Sequence, residues 1–193
     1  EYRQHLRRIV ELETSLHELA DLPAVTRDDT SINLLANIEF TSEIRAAIEK
    51  GANGIGLYRT EFLYLASDEP PTEDQQYEAY TEALRTLDGK PLTIRTLDLG
   101  ADKFHDNGPI DHLERNPFLG CRSIRFCLQN LPLFKTQLRA ILRASAAGPL
   151  RIMFPLITSI MELRQAKMVL HDVAEDLEEE NIPFAKDIPV GIM

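Results

Sequence analysis

Two arginines stand where apolar, strand-like segments end, and a third lies in a later motif. Arg59 ends "GIGLYR", Arg95 lies within "GKPLTIRTLD", and Arg122 lies in "NPFLGCRSIR" just ahead of Arg125. A guanidinium group is permanently charged and binds phosphate or carboxylate oxygens through two parallel hydrogen bonds. These residues therefore predict a site for an anionic ligand, provided that the fold brings them together.

Each of these arginines could instead be paired with a carboxylate of the same chain. Glu61, Asp98 and Asp102 are all close enough in sequence to serve as partners. Since a partly buried arginine is usually paired, one arginine at a strand end does not separate the two interpretations. Arg59 and Arg95, both at strand ends, favour a shared anion site.

Strand-like and helix-like patterns alternate along the chain. The strand candidates are "SINLLANI", "GIGLY", "GKPLTIRTLD", "LRIMFPL" and "IPVGIM". Thr41 can cap the first helix between them, and two later helices begin with a capping box, Thr72 with Gln75 and Ser159 with Glu162. This alternation predicts parallel strands joined by crossover helices.

Helical patterns are predicted at three further places. One covers the first 20 residues or so, and two cover residues 117–130 and 132–146, with Gly148 as the stop signal. The helix behind Ser159 has an apolar face made of Ile160, Leu163, Leu170, Val173 and Leu177.

A doubly wound sheet and a (β/α)8 barrel both fit this order of elements. The barrel is favoured because no phosphate-type glycine loop follows the first strand, and the glycines of "GANGIG" precede a strand rather than follow one. We expect an α/β fold: a partial TIM barrel of about four and a half βα units over residues 31–193. A linker helix and connection are expected over residues 1–30, and both chain ends are expected to be cuts within a longer protein.

Composition excludes several classes of protein. The net charge of −10, from 21 basic and 31 acidic residues, disfavours binding to nucleic acid or anionic membrane. No apolar run approaches the roughly 18 residues of a membrane span. Cys121 and Cys127 are too few for a disulfide framework, which indicates a reducing compartment, and their spacing is not that of a zinc site. We expect a cytoplasmic protein with ordinary thiols.

Four segments, in order, carry a family resemblance: "GANGIGLYRTEFLYL", "PLTIRTLDLGADK", "NPFLGCRSIR" and "FKTQLRAILRAS". Together they resemble the phosphoenolpyruvate-binding domain of Enzyme I of the bacterial sugar phosphotransferase system, the phosphoenolpyruvate–protein phosphotransferases. The resemblance covers almost the whole chain. "IRTLDLGADK" favours this branch over the pyruvate phosphate dikinase and phosphoenolpyruvate synthase type.

The resemblance implies a transferase whose barrel binds phosphoenolpyruvate and Mg²⁺. The phosphoryl group would pass to a histidine on a separate domain and then to a small histidine-containing phosphocarrier protein. Arg59 and Arg95 match the arginines that hold the substrate phosphate, and Arg122 matches a further active-site arginine. Lys103 lies in a matching motif and receives no role. The full-length enzyme is expected to be a homodimer through its barrel domain.

The resemblance also places the catalytic residues outside this chain. The metal-binding acids and the catalytic cysteine are expected beyond Met193, and the phosphorylated histidine is expected before Glu1. The chain alone is therefore expected to be inactive. Cys121 stands where the family carries a bulkier residue, and His105 and His112 fit a solvated loop.

Three alternatives stay open. One is a non-catalytic regulatory or truncated homologue that binds phosphoenolpyruvate without transfer. Another is an enzyme of the pyruvate phosphate dikinase or phosphoenolpyruvate synthase type, and the third is a nitrogen-linked form of the enzyme instead of the sugar-transport form.

Overall fold

The computed structural model describes residues 20–67, 69–100 and 120–193, which form a sheet and the helices that pack on it. The strands are β1 (Leu35–Ile38), β2 (Gly54–Arg59), β3 (Leu92–Arg95), β4 (Leu150–Phe154) and β5 (Val190–Ile192). The helices are α1 (Glu43–Glu49), α2 (Glu61–Leu65), α3 (Glu73–Leu87), α4 (Ile124–Gln129), α5 (Leu131–Ser145) and α6 (Ile160–Glu179).

The five strands lie in the sheet in chain order, and every neighbouring pair is parallel. A doubly wound sheet reverses its strand order at a switch point, and the described strands contain no such reversal. The α/β class with parallel strands is therefore confirmed, and the sheet is compatible with a partial barrel. The linker helix predicted over the first residues lies outside the described ranges.

The two faces of the sheet carry different kinds of side chain. Tyr58, Ile94 and Ile152 are register neighbours on β2, β3 and β4, and all three are buried. This face packs on the helices, since the ring of Tyr58 meets that of Tyr80 on α3 at 6.1 Å. Because side chains alternate between faces along a strand, Arg59 lies on the opposite face.

Both predicted capping boxes are confirmed. At the start of α3, Thr72 Oγ1 accepts a hydrogen bond from Gln75 N at 3.2 Å, and Thr72 N donates to Gln75 Oε1 at 2.8 Å. Ser159 and Glu162 form the same pair of hydrogen bonds at the start of α6. These bonds satisfy main-chain donors that the first turn of a helix leaves without intrahelical acceptors.

Helix α1 begins differently from the prediction. Ser42, not Thr41, is the N-cap residue, and its side chain makes no capping hydrogen bond. The carboxylate of Glu43 instead holds the segment ahead of the helix, because its Oε2 accepts from the main-chain nitrogens of Glu39 at 2.7 Å and Phe40 at 2.9 Å. Hydrogen bonds from Phe40 and then Glu39 lower the pKa of Glu43.

Other predicted boundaries move by a few residues. The third strand is confined to Leu92–Arg95, and α5 ends at Ser145, ahead of Gly148. On α6, Leu170, Val173 and Leu177 are buried as predicted. Ile160 is 59% exposed because it is the first residue of the helix, so its place on the apolar face was predicted wrongly. None of the helices in the described ranges is long and apolar enough to cross a membrane.

Candidate functional site

The β2–β3 ladder brings Arg59 and Arg95 side by side. The two residues are direct register partners, and each is the last residue of its strand. Neighbouring strands lie about 4.8 Å apart, and register partners in parallel strands point to the same face. Arg59 and Arg95 therefore lie next to each other at the carboxyl edge of the sheet.

The guanidinium of Arg95 is held by two carboxylates. Its Nη2 lies 3.1 Å from Glu61 Oε1, and its Nη1 lies 3.2 Å from Asp98 Oδ2. The Arg95 side chain is only 10% exposed. Since the effective dielectric constant is lower in such surroundings than in water, these charge-assisted contacts are stronger than those of a surface ion pair.

Asp98 connects Arg95 to the third predicted arginine. Its Oδ1 lies 3.1 Å from Nη2 of Arg122, and the hydroxyl of Ser123 donates to the same carboxylate oxygen. Ser123 N also donates to Leu99 O at 2.9 Å, which ties the segment after β3 to the start of α4. Arg59, Arg95 and Arg122 thus belong to one group of side chains, which we call the arginine cluster.

Arg59 has a partner that the sequence did not indicate. It forms an ion pair with Glu39, which directly follows β1. Glu61, the nearest acid in sequence, contacts Arg95 instead. The pairing that sequence proximity suggested for Arg59 is therefore wrong, because the register of the sheet, not distance along the chain, decides which acid each arginine reaches.

The carboxylates do not use all the donors of these arginines. A guanidinium has five N–H donors, and the Nε atoms of Arg59 and Arg95 are buried without a hydrogen-bond acceptor in the described part of the chain. A buried donor without an acceptor costs about 1–3 kcal/mol. A ligand with several anionic oxygens could accept from these atoms, so the arrangement fits a phosphate or carboxylate ligand.

A buried hydrogen-bonded chain supports the arginine cluster from behind. Gln137 on α5 accepts from Leu97 N at 2.9 Å and donates to Thr60 Oγ1 at 3.1 Å. Thr60 in turn donates to the main-chain oxygen of Arg95 at 2.9 Å. Gln137 is fully buried. Gln137 was not predicted as a site residue, although an amide between Phe134 and Leu138 on an apolar helix face was a detectable signal.

Cys121 and Cys127 are both reduced cysteines, and Cys127 is buried. Burial first, and then the charge of Asp98, raise the pKa of Cys127 to about 12. Cys121 donates to Gln129 Oε1 at 2.9 Å. A thiol with so high a pKa is protonated at neutral pH, so Cys127 is not a nucleophile. Lys103, His105 and His112 lie outside the described ranges.

Potential metal-ligating side chains in the described ranges are not grouped in threes or more. Mg²⁺ prefers carboxylate and other oxygen ligands, and no group of three or more His, Cys, Asp or Glu side chains in these ranges could hold a metal ion. Glu61 and Asp98, the acids within the arginine cluster, are both engaged by guanidinium groups.

Arg125, the fourth arginine of the motifs, joins a separate contact between α4 and α6. Its Nε lies 2.9 Å from Glu162 Oε1, and its Nη2 donates to Thr158 Oγ1 at 2.9 Å. Burial raises the pKa of Glu162, but hydrogen bonds from Thr158, Arg125 and Ser159 outweigh it and lower the pKa from 4.5 to about 2.

We expect Glu162→Gln to remove a pH-dependent part of the stability. The pKa of Glu162 is lower in the folded than in the unfolded chain, so its contribution is complete above pH 4.5 and is lost as the pH falls toward 2. Urea unfolding should show a variant that is less stable by about 2–3 kcal/mol at pH 7, with more than half of that difference gone at pH 3. An equal difference at both pH values would contradict this account. Glu175→Gln, on the exposed side of α6, is the control.

Comparison with known proteins assigns a family to these residues. The model of the family described as "PEP-utilising enzyme, PEP-binding domain" matches residues 13–193. A phosphoenolpyruvate-protein phosphotransferase of Staphylococcus aureus (strain MSSA476) is 47% identical over 182 residues, which cover 92% of this chain and 31% of that protein. Proteins of the same name are 45% identical in Staphylococcus epidermidis and 42% identical in Priestia megaterium, each over all of this chain and 33% of the relative. The chain spans about a third of the length of these curated relatives.

Proposed function

Because this chain belongs to the family of the PEP-utilising enzymes and matches their PEP-binding domain, we propose that it is the substrate-binding part of a phosphoenolpyruvate–protein phosphotransferase. The observation that carries the proposal is the register pair of Arg59 and Arg95, whose Nε donors are buried without acceptors in the described ranges. In this proposal both arginines bind the phosphate of phosphoenolpyruvate, and Arg122 acts as a further active-site arginine.

The proposed site fits the position of active sites in barrels. We propose that the five strands are the first part of a (β/α)8 barrel that other residues of a longer protein complete. Ligands of such barrels bind at the carboxyl ends of the strands, which is where β2 and β3 place their arginines.

Phosphoryl transfer asks for positioning and charge neutralisation more than for covalent chemistry by the barrel. In our proposal, Arg59 and Arg95 orient the phosphate and reduce its negative charge while the bond to the enolpyruvate oxygen breaks. A histidine of another domain accepts the phosphoryl group and passes it to a histidine-containing phosphocarrier protein in sugar uptake. The Mg²⁺ that the reaction uses would take its ligands from beyond Met193.

The proposal extends to the whole enzyme. We propose a cytoplasmic homodimer that assembles through its barrel domain. The rival proposal is a non-catalytic regulatory homologue that binds its ligand or partner without transfer. The rival rests on the ion pairs of Arg59 with Glu39 and of Arg95 with Glu61, because arginines held by carboxylates can stabilise the fold without taking part in transfer.

The test is transfer of labelled phosphate. The protein encoded by the complete gene is incubated with ³²P-phosphoenolpyruvate, Mg²⁺ and the phosphocarrier protein, in parallel with residues 1–193 alone. We expect the complete protein to label the carrier and the shorter chain to leave it at the level of a sample without enzyme. Absence of label with the complete protein would favour the non-catalytic rival. Labelling by residues 1–193 alone would show that the chemistry needs no further residues.

A further inference from the structure

Arg59 ends β2, and the two residues that follow it, Thr60 and Glu61, both contact Arg95 of the arginine cluster. Glu61 stands out because one of its oxygens accepts two hydrogen bonds. Oε1 lies 3.1 Å from Arg95 Nη2 and 3.0 Å from the main-chain nitrogen of Asp98. The Glu61 side chain is 10% exposed. The Glu61 carboxylate therefore fixes the guanidinium of Arg95. It also fixes the main chain at Asp98, the second acid that pairs with Arg95.

Thr60 fixes the other end of Arg95. Its hydroxyl donates to the main-chain oxygen of Arg95 at 2.9 Å and accepts from Gln137 Nε2 at 3.1 Å. Arg95 is thus held at its backbone by Thr60 and at its guanidinium by Glu61. Both residues directly follow Arg59 in the chain, so the segment that carries Arg59 also holds Arg95.

We propose that Glu61 is a positioning residue that sets the alignment of Arg95 with Arg59 for binding of the anionic ligand. The inference rests on the proposed function, because it takes that ligand to be phosphoenolpyruvate. Glu61 occupies Nη2 of Arg95 and Asp98 occupies Nη1, so the Nε edge of the guanidinium is left for the ligand. Without the charge of Glu61, Nη2 of Arg95 loses its partner, and the guanidinium is free to turn toward Asp98 Oδ2.

A double-mutant cycle tests this role in the complete protein, with kcat/KM for phosphoenolpyruvate as the measurement. Glu61→Gln keeps an acceptor for Asp98 N but loses the charge that holds Arg95. We expect it to lower kcat/KM by about 10- to 100-fold, since a misplacement of about 1 Å costs on this order. In the Arg95→Ala background, Glu61→Gln should cause less than about a threefold further loss, because a residue that acts only through Arg95 has nothing left to position.

Glu73→Gln is the matched control. Glu73 is also a partly buried acid that pairs with arginines, Arg139 and Arg143, but these lie on α5 away from the arginine cluster. We expect this variant to lower the melting temperature and leave kcat/KM within about twofold of the wild type. If Glu61→Gln does not fold, Glu61→Asp replaces it in the same cycle, because aspartate keeps the charge but cannot reach both donors.

The outcomes separate the inference from the proposed function. If Arg95→Ala leaves kcat/KM unchanged, the proposed function of Arg95 is wrong. If Arg95→Ala lowers kcat/KM but Glu61→Gln does not, the positioning role of Glu61 is wrong. It is also wrong if the fold-losses in kcat/KM of the two single variants multiply in the double variant. A loss in Glu73→Gln equal to that in Glu61→Gln would also overturn the inference, since it would show a general effect of lost ion pairs.

Discussion

Arg59→Ala and Arg95→Ala are each expected to lower kcat/KM for phosphoenolpyruvate by about 30-fold to several thousandfold in the complete protein. Loss of a partly buried, charge-assisted contact costs about 2–5 kcal/mol, and each 1.4 kcal/mol is about tenfold in rate. Arg59→Lys should recover little, because an ammonium group cannot reproduce the two parallel hydrogen bonds of a guanidinium. Steady-state kinetics and thermal unfolding of the same preparations provide the measurement.

The alternative for Arg59 predicts the opposite combination. If Arg59 serves only to pair with Glu39, its replacement should lower the melting temperature and leave the kinetics of the folded enzyme nearly unchanged. Arg139→Ala is the control for loss of ion pairs, because Arg139 contacts Glu73 at 2.9 Å and Glu180 at 2.7 Å on the helices. An Arg59→Ala enzyme that behaves like Arg139→Ala would exclude the phosphate-binding role.

Gly54→Ala is expected to destabilise the protein by about 3 kcal/mol, through overpacking and an unfavourable backbone conformation. Gly54 opens β2 with φ at +156°, and an added Cβ would lie 2.6 Å from the main-chain oxygen of Pro91 and 2.8 Å from its ring carbons. The neighbouring strand cannot move away without breaking the Ile55 N to Pro91 O hydrogen bond of 2.8 Å. The melting temperature should fall by about 6–12 °C.

Gly191→Ala is the matched control for Gly54→Ala, because it also adds one methyl group to a strand glycine. The nearest heavy atom to a Cβ at Gly191 is the main-chain oxygen of Ile152, at the ordinary distance of 3.8 Å. We expect a change of less than about 1 kcal/mol. Equal melting temperatures for the two variants would show that the strands separate easily at Gly54.

The sequence predicted those features whose partners lie close together in the chain. The capping box of Thr72 and Gln75 could be found because both residues belong to one helical turn. The alternation of elements predicted the parallel sheet, and the ends of its apolar segments predicted where Arg59 and Arg95 would lie.

The sequence could not predict contacts that the register of the sheet creates. Glu39 reaches Arg59 only because β1 and β2 run side by side, and Gln137 reaches Thr60 across 77 positions of sequence. The prediction that Thr41 caps α1 was wrong for a local reason. Several polar side chains stand within a few residues of the start of this helix, and only the folded geometry selects among them.

The order of the strands bears on how the chain is assembled during synthesis. Each strand after β1 pairs with the strand made just before it, so a growing chain can add one strand at a time without waiting for distant segments. Arg59 and Arg95 become neighbours once β3 has docked on β2, and Asp98 follows three residues later. In such an order of assembly these charges would meet before α5 emerges, and Gln137 would pack behind them afterwards.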